Sequence, residues 1–385
     1  MERTKRLFDT APYEHTFEAR VLSCEKVEDG YEVVLDRTLF FPEEGGQSAD
    51  EGELDGVRVS AVVEREGVIF HRVDVPFTKG ASAVGKIDFA LRFRRMQNHT
   101  GEHIVSSIAL REFGLHNVGF HLGSEDVTAD FDGELTREQL ERLELLANRA
   151  VFECHPVKGY YPEKEVLETL SYRSKIAFLD NVRLVEIEGV DLCACCAPHV
   201  ANTGEIGLIK IVDAVRYKGG MRVHLLCGYD ALAAYGADLS RVKGISAALS
   251  VKRNEVLEGV ERLQAELGVL RGEVAALRRE LMAEKLKSLE ATTGNLCLFE
   301  REGDPLALRQ FVNEAKERCD GLCALFWGSD EDGYRYIIAS KKGVLTRELA
   351  AKINAAIEGR GGGSPQMMQG SCNATRDQIE AYFAQ

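Results

Sequence analysis

Cys193-Ala194-Cys195-Cys196-Ala197-Pro198-His199 is the stretch on which the reading of this chain turns. Cys195 and His199 stand four residues apart. Upstream, Asn98-His99-Thr100-Gly101-Glu102-His103 repeats that spacing with two histidines. On a helix, positions four apart share a face, so His99 and His103 point the same way. Three imidazoles and one thiolate make a tetrahedral zinc set. Four protein ligands close such a site, whereas catalytic zinc keeps a position open. The residue types alone leave both readings standing.

Composition narrows the class. The chain has 385 residues, a length that suggests two or three domains. Hydrophobic residues make up 45% and charged residues 29%, as in soluble globular proteins. No apolar run approaches the roughly 18 residues of a membrane span. Met1-Glu2-Arg3-Thr4-Lys5-Arg6-Leu7 carries charge with no apolar core behind it, so no secretory signal is expected. The 10 cysteines are irregularly spaced in a long chain and read as reduced thiols and metal ligands in a cytoplasmic protein. The net charge of -14 argues against a globally basic nucleic-acid binder. Local basic groups remain. Arg92, Arg94 and Arg95 precede the two histidines, and Arg216, Lys218 and Arg222 surround Gly219-Gly220. They read either as solvated surface or as the approach of a polyanion to the metal runs.

Along the chain, residues 1–88 read as a small β-barrel, with an Asp55-Gly56 hairpin signal. Embedded in them is Gly45-Gly46-Gln47-x-x-Asp50-x-Gly52. Residues 89–240 read as mixed α/β. A helix is expected from His99 to about Phe113 and another over 138–152. Strands are expected at Tyr172-Arg173-Ser174, at 182–187, from Ile206 and from Arg222. Over 241–290, Val256, Val260, Leu263, Leu267, Leu270, Val274, Leu277 and Leu281 alternate steps of four and three. That is the seam of a coiled coil, or else an amphipathic helix folded onto its own chain. Residues 291–385 read as a small α/β unit. There Gly359 to Gly370 is either a loop bringing backbone N–H groups to phosphate or a flexible connector. The fold class is therefore α+β: barrel, mixed α/β domain with a zinc site, coiled-coil helix and C-terminal α/β domain.

Three runs in this order, the GGQ loop, His99-Thr100-Gly101-Glu102-His103 and Cys195 through His199 to Asn202-Thr203-Gly204-Glu205-Ile206-Gly207, closely resemble one family. It comprises the editing domain of alanyl-tRNA synthetase and its free-standing relatives, the AlaX proteins. There the runs read GGQxxDxG, HTxxH and CGGTH followed by an NTGEIG-like stretch. The tail, with its heptad helix and Gly361-Gly362-Gly363-Ser364-Pro365-Gln366-Met367-Met368-Gln369, resembles the C-terminal DHHA1-type domain of the long form. One departure stands out: Cys196-Ala197-Pro198 replaces Gly-Gly-Thr, and proline fixes φ and removes a donor.

The resemblance implies hydrolysis of the ester joining serine or glycine to alanine tRNA. It implies zinc held by His99, His103, Cys195 and His199, either activating a water or ordering the pocket. It makes Thr38 the contact for the serine hydroxyl and Gln47 the group that orients the ester carbonyl or the water. Gly45 and Gly46 would bind substrate, Asp50 would hold the loop, and Thr203 and Arg222 would bind the terminal adenosine. The partners implied are misacylated alanine tRNA and a second copy, through the coiled coil and C-terminal domain, with no membrane. Because the chain begins at the barrel, no tRNA charging is expected. Rival readings are a tRNA-binding or synthetase-partner module without hydrolysis, a phosphoesterase suggested by the tail, and a threonine-tRNA editing domain. The phosphoesterase lacks the Asp/His-rich run its chemistry needs. The GGQ loop and the C-terminal unit fit the alanine system better than the threonine one.

Overall fold

Alternation decides the first sheet. In β2 (Thr16–Val27), which follows the short β1 (Lys5–Arg6), Phe17, Ala19 and Val21 are buried while Thr16, Glu18 and Arg20 are exposed. That is the period-two pattern of a strand with one wet face. It is followed by β3 (Gly30–Leu35), β4 (Arg37–Thr38), β5 (Gly52–Leu54), β6 (Val57–Val59), β7 (Ala61–Arg65), β8 (Val68–Val73) and β9 (Ser82–Ile87). Seven of these form an antiparallel sheet in the order β6-β5-β9-β2-β3-β8-β7. It curls until β6 returns beside β8, so it is nearly closed. Asp55 and Gly56, both at positive φ, make the tight β5–β6 turn as the dipeptide predicts. Phe8, Val33, Leu35, Phe40, Phe41 and Ile69 fill the interior.

A polar chain runs through this interior. His71 on β8 is fully buried; Nδ1–H donates to the carbonyl of Val33, and Nε2 accepts from Thr38 Oγ1 at 2.9 Å. Thr38 Oγ1 in turn accepts the N–H of Phe40. Every member is satisfied, so burial is tolerated. Burial pushes the His71 pKa down from 6.5 to about 4.

The computed structural model describes residues 2–123, 127–174 and 182–384 and divides into Met1–Lys243 and Gly244–Gln385. In the first unit, helix α1 (Phe89–Phe113) begins at an Asp88 cap that accepts the Leu91 N–H and ends at Gly114 in the left-handed region. It starts well before His99, contrary to expectation, because Asp88 supplies the cap. Arg92, Arg94 and Arg95 therefore lie within the helix, not ahead of it. Arg92 is fully buried, and its Nε lies 3.0 Å from each carboxylate oxygen of Asp50. Its Nη2 reaches the Leu39 carbonyl at 2.6 Å. Asp50 also accepts the N–H of Phe41 at 2.7 Å. Arg95 donates to the Ala49 carbonyl, and Arg94 pairs with Asp230. Arg92 and Arg95 are buried and hold the fold, while Arg94 stays half exposed beside Asp230.

Beyond α1 lie β10 (Asn117–Leu122), β11 (Val127–Phe131), α2 (Arg137–Phe152), β12 (Val157–Tyr160), the single turn α3 (Lys164–Leu167), β13 (Leu184–Ile187), β14 (Asp191–Ala194), β15 (Ile209–Tyr217), β16 (Gly220–Cys227) and α4 (Gly228–Leu249). They form a β10-β11-β16-β15 sheet and a β12-β13-β14 sheet. Met96, Ile104, Val105 and Ile108 of α1 pack with Leu143 of α2 and with Phe131, Val223 and Leu225. Gly101 permits this approach: a Cβ there would meet Cys227 Sγ at 2.3 Å. Arg173 forms only an isolated bridge to Cys193, not the expected strand. Thr203–Ile206 is a 3-10 turn, so the strand expected from Ile206 starts at Ile209.

The second unit carries α5 (Val256–Ser288), β17 (Leu296–Glu300), α6 (Pro305–Ala315), β18 (Leu322–Ser329), β19 (Gly333–Ser340), α7 (Arg347–Ala356), β20 (Gly359–Ser364), β21 (Met367–Cys372) and α8 (Arg376–Phe383). The sheet order is β17-β18-β19-β21-β20, with only the β17–β18 pair parallel. Helices cover both faces. Leu322, Ala324 and Phe326 pack with Ile353, Ile379 and Phe383, whereas Cys323 and Leu325 pack with Leu308, Phe311 and the end of α5. Burial on both faces explains the unbroken apolar run of β18. The glycine run is a β20–β21 hairpin, not a loop. A Cβ at Gly361 would meet Gln369 O at 2.4 Å, so close strand packing, not chain freedom, requires glycine there. Met282 and Leu286 of α5, and Leu289 just after it, reach the core, but Leu263, Leu267, Leu270, Val274, Leu277 and Leu281 are 45–63% exposed. No helix among the described residues is long and apolar enough to cross a membrane.

Two tests follow from the first unit. Asp50→Ala strands a buried guanidinium and should cost about 3–5 kcal/mol in urea unfolding, as for other broken buried pairs; a loss near that of a surface pair, below about 1 kcal/mol, would refute the anchoring role. His71 makes stability pH-dependent. The unfolded ring takes up a proton below 6.5, the folded one only near 4. The contribution is whole above 6.5 and is lost as pH falls toward 4, by about 3 kcal/mol. His71→Gln should flatten that part of the stability profile relative to wild type; parallel profiles would contradict it.

Candidate metal centre

One turn of α1 presents His99 and His103, and the segment leaving β14 presents Cys195 and His199. The ligating atoms of all four lie within 4.8 Å of one another. Cys195 Sγ is 3.3 Å from His199 Nε2 and 3.6 Å from His99 Nε2. The four-residue spacing of Cys195 and His199 is met by an irregular segment, not by a helix. Arg183 shapes that segment: Nη1 donates to the carbonyls of Cys195 and Ala197, each at 3.0 Å. A buried guanidinium thus ties together the carbonyls on either side of Cys196.

Each imidazole is oriented from behind. His99 Nδ1 bonds Gln47 Oε1 at 2.7 Å. His103 Nδ1 bonds Asp191 Oδ2 at 3.1 Å, and Arg173 clamps Asp191 through Nε at 2.7 Å and Nη2 at 2.6 Å. His199 Nδ1 bonds Thr100 Oγ1 at 3.0 Å. That hydroxyl donates to the Met96 carbonyl, so it must accept from the ring. With all three Nδ1 atoms protonated and held, all three Nε2 lone pairs converge on Cys195. This is the arrangement metal-binding histidines need.

The electrostatics agree. Burial raises the Cys195 thiol, but positive charge on His99 and His199, when they are protonated, outweighs it and holds it well below the usual thiol range. A thiol ready to ionise is a ready metal ligand. Burial also opposes the Asp191 charge, yet Arg173 and His103 bring its pKa down to about 2. The four residues could therefore hold a metal ion.

The cluster opens on a cavity of about 400 Å³, whose walls include Arg6, Gly45, Glu102, Phe120 and Cys196. Gly45 and Gly46 have φ of 62° and 82°, and a Cβ on Gly46 would meet the Phe120 carbonyl at 2.5 Å. The glycine pair is therefore required by the backbone. Gln47 is fully buried, and its Nε2 has no hydrogen-bond partner among the described residues. Three other expected site residues lie elsewhere. Thr38 is enclosed in the barrel with His71. Thr203 Oγ1 bonds the Ala150 carbonyl and the His155 N–H. Arg222 is clamped by Asp130 at 2.7 and 2.8 Å and lies 3.8 Å over the Tyr217 ring. None of the three lines the cavity. Sequence reading missed Thr100, Asp191, Arg173 and Arg183. The signal available was the need of each metal-binding histidine for an acceptor on its other nitrogen.

Gln47→Leu removes the acceptor behind His99. It should weaken metal affinity about 10–100-fold in a chelator competition, with the circular dichroism spectrum unchanged. Unaltered affinity would show that Gln47 does not position the ligand.

Comparison with known proteins agrees with this geometry. Residues 10–91 match the family model for class II (A) tRNA synthetases. Residues 182–263 match the threonyl and alanyl tRNA synthetase second additional domain, and residues 293–383 match the DHHA1 domain. The alanyl-tRNA editing protein AlaX-L of Pyrococcus horikoshii is 27% identical over 97% of this chain and 96% of its own length. The alanine–tRNA ligases of Ignicoccus hospitalis and Halorubrum lacusprofundi are 29% and 30% identical, over 98% and 99% of this chain. The chain spans only 42% and 44% of those two ligases. Three domain models in this order, with a relative matched from end to end, fit a long-form AlaX protein.

Proposed function

We propose that this protein is a zinc-dependent trans-editing hydrolase that removes serine or glycine from alanine tRNA by cleaving the aminoacyl ester. The observation that carries the reading is the cluster of three imidazoles and one thiolate opening on a cavity, in a chain similar throughout to an alanyl-tRNA editing protein. His99, His103, Cys195 and His199 would hold the zinc. Ligand bonds of about 2.0–2.1 Å to nitrogen and 2.3 Å to sulfur imply nitrogen–sulfur edges of about 3.6 Å in a tetrahedron, close to the 3.3 and 3.6 Å observed. Zinc, when bound, supplies Lewis-acid polarisation and lowers the pKa of water.

The chain's own residues provide the rest. Gln47, Asp191 and Thr100 fix the ligand rings. Gly45 and Gly46 let the ester end of the tRNA come close to backbone. An activated ester needs mainly positioning, and an enclosed pocket supplies it. Thr38 acts from behind as a positioning residue: with His71 and the Phe40 N–H it fixes the strand end that leads into the GGQ loop. A site that hydrogen-bonds a hydroxyl can reject the analogue lacking it by large factors, which is what sparing alanine demands. Thr203 and Arg222 would support the surface that meets the terminal adenosine without touching it. Such a protein would work in the cytoplasm, where charged tRNA is used and thiols stay reduced.

The exposed heptad stripe of α5 is the basis for a homodimer. Two such stripes would bury the leucines that one chain leaves in water. If the C-terminal unit also contacts the tRNA body, two weak contacts on one tRNA would help this acidic protein hold an acidic substrate.

Purified protein incubated with serine-, glycine- and alanine-charged alanine tRNA should release serine or glycine, spare alanine and lose activity with a chelator. No release from any of the three would leave only a binding module. In the second test, Leu270→Lys with Leu277→Lys should turn a sedimenting dimer into a monomer. A wild-type monomer, or a dimer indifferent to both changes, would end the coiled-coil proposal.

A further inference from the structure

Glu102 follows His99 by three positions on α1, so the two are neighbours on the helix surface. Its residue is 3% exposed, yet it lines the same cavity as His99, His103 and Cys195. It does not belong to the four-atom ligand cluster. One carboxylate oxygen, Oε1, accepts Ser106 Oγ at 2.5 Å and Asn117 Nδ2, and Asn117 also donates to Ser106 Oγ at 2.7 Å. A buried carboxylate is costly unless hydrogen-bonded, and here two donors hold it in one orientation beside the centre.

We infer that Glu102 is the general base of the ester hydrolysis. The inference rests on the editing reading above. Water attacks the ester carbonyl carbon, forming a new C–O bond, and one of its protons passes to the Glu102 carboxylate. The bond from that carbon to the ribose oxygen then breaks, and Glu102 returns the proton to the departing oxygen. The products are the free amino acid and the tRNA 3′-terminal hydroxyl, and no oxidant, reductant or further reactant is needed. Ser106 and Asn117 are positioning residues that aim the carboxylate.

The test uses the full-length, zinc-loaded protein with serine-charged alanine tRNA. Positioned acid–base groups contribute about 10²–10⁴-fold. Glu102→Gln, which keeps the shape and the acceptor, should lower kcat by about 100-fold or more, with KM and zinc content unchanged. Glu102→Ala should be as slow, and added formate, a small carboxylate, should restore part of its turnover while leaving wild type unaffected. A purely structural Glu102 would not respond to formate. An active wild type beside a Glu102→Gln variant of equal kcat, or a Glu102→Ala variant that formate does not rescue, overturns the role of Glu102 alone. An inert wild type overturns the editing reading and this inference with it.

Discussion

A single buried ion pair sets the geometry of the first unit. Arg92 on α1 and Asp50 behind the GGQ loop are both out of water. Between them they also engage the Leu39 carbonyl and the Phe41 N–H. Removing either charge leaves the other with nowhere to be solvated, so barrel and helix behave as one piece. Two consequences reach the site. The loop carrying Gly45, Gly46 and Gln47 is fixed against α1, and Gln47 then meets His99 at 2.7 Å.

The cluster of His99, His103, Cys195 and His199 is built from the outside inward. Its donors come from a helix and an irregular segment, elements with little reason of their own to converge. Convergence is enforced by Arg183 on two carbonyls of the Cys195–His199 segment, by Arg173 on Asp191, and by Gly101, whose missing side chain lets α1 press onto Cys227. Orientation is enforced by three different acceptors, a carboxamide, a carboxylate and a hydroxyl. This division explains why so many polar residues on α1 are buried: each is satisfied, and each aims a neighbour.

The C-terminal unit follows different physics. Its sheet is covered on both faces, so its strands are apolar runs, and its glycine-rich strands press closely together. The heptad helix is the exception, with one end in a core and a stripe of leucines in water. Exposure of that extent along a straight seam is what an interaction surface presents.

The sequence by itself determined whatever depends on neighbours a few residues apart. The spacing of His99 and His103 on a helix, the Asp55-Gly56 turn, the barrel strands and the heptad stripe are all legible, because pleat and helix periods are local. So is the pairing of His99 and His103 with Cys195 and His199 as candidate ligands, since few residue types bind metal and their spacing repeats. The tertiary structure decided the rest. Arg92, Arg94 and Arg95 look like a basic surface until partners 42, 136 and 46 residues away are seen. Thr38 looks like a pocket residue until His71 takes its hydroxyl. The run from Gly359 looks like a loop because glycines hide strand alternation, and only the close approach of Gly361 to Gln369 shows why glycine is needed. Partners distant in sequence leave no periodic trace, and burial changes what a charge or a hydroxyl can do. Those two facts place the boundary between what this chain spells out and what its fold adds.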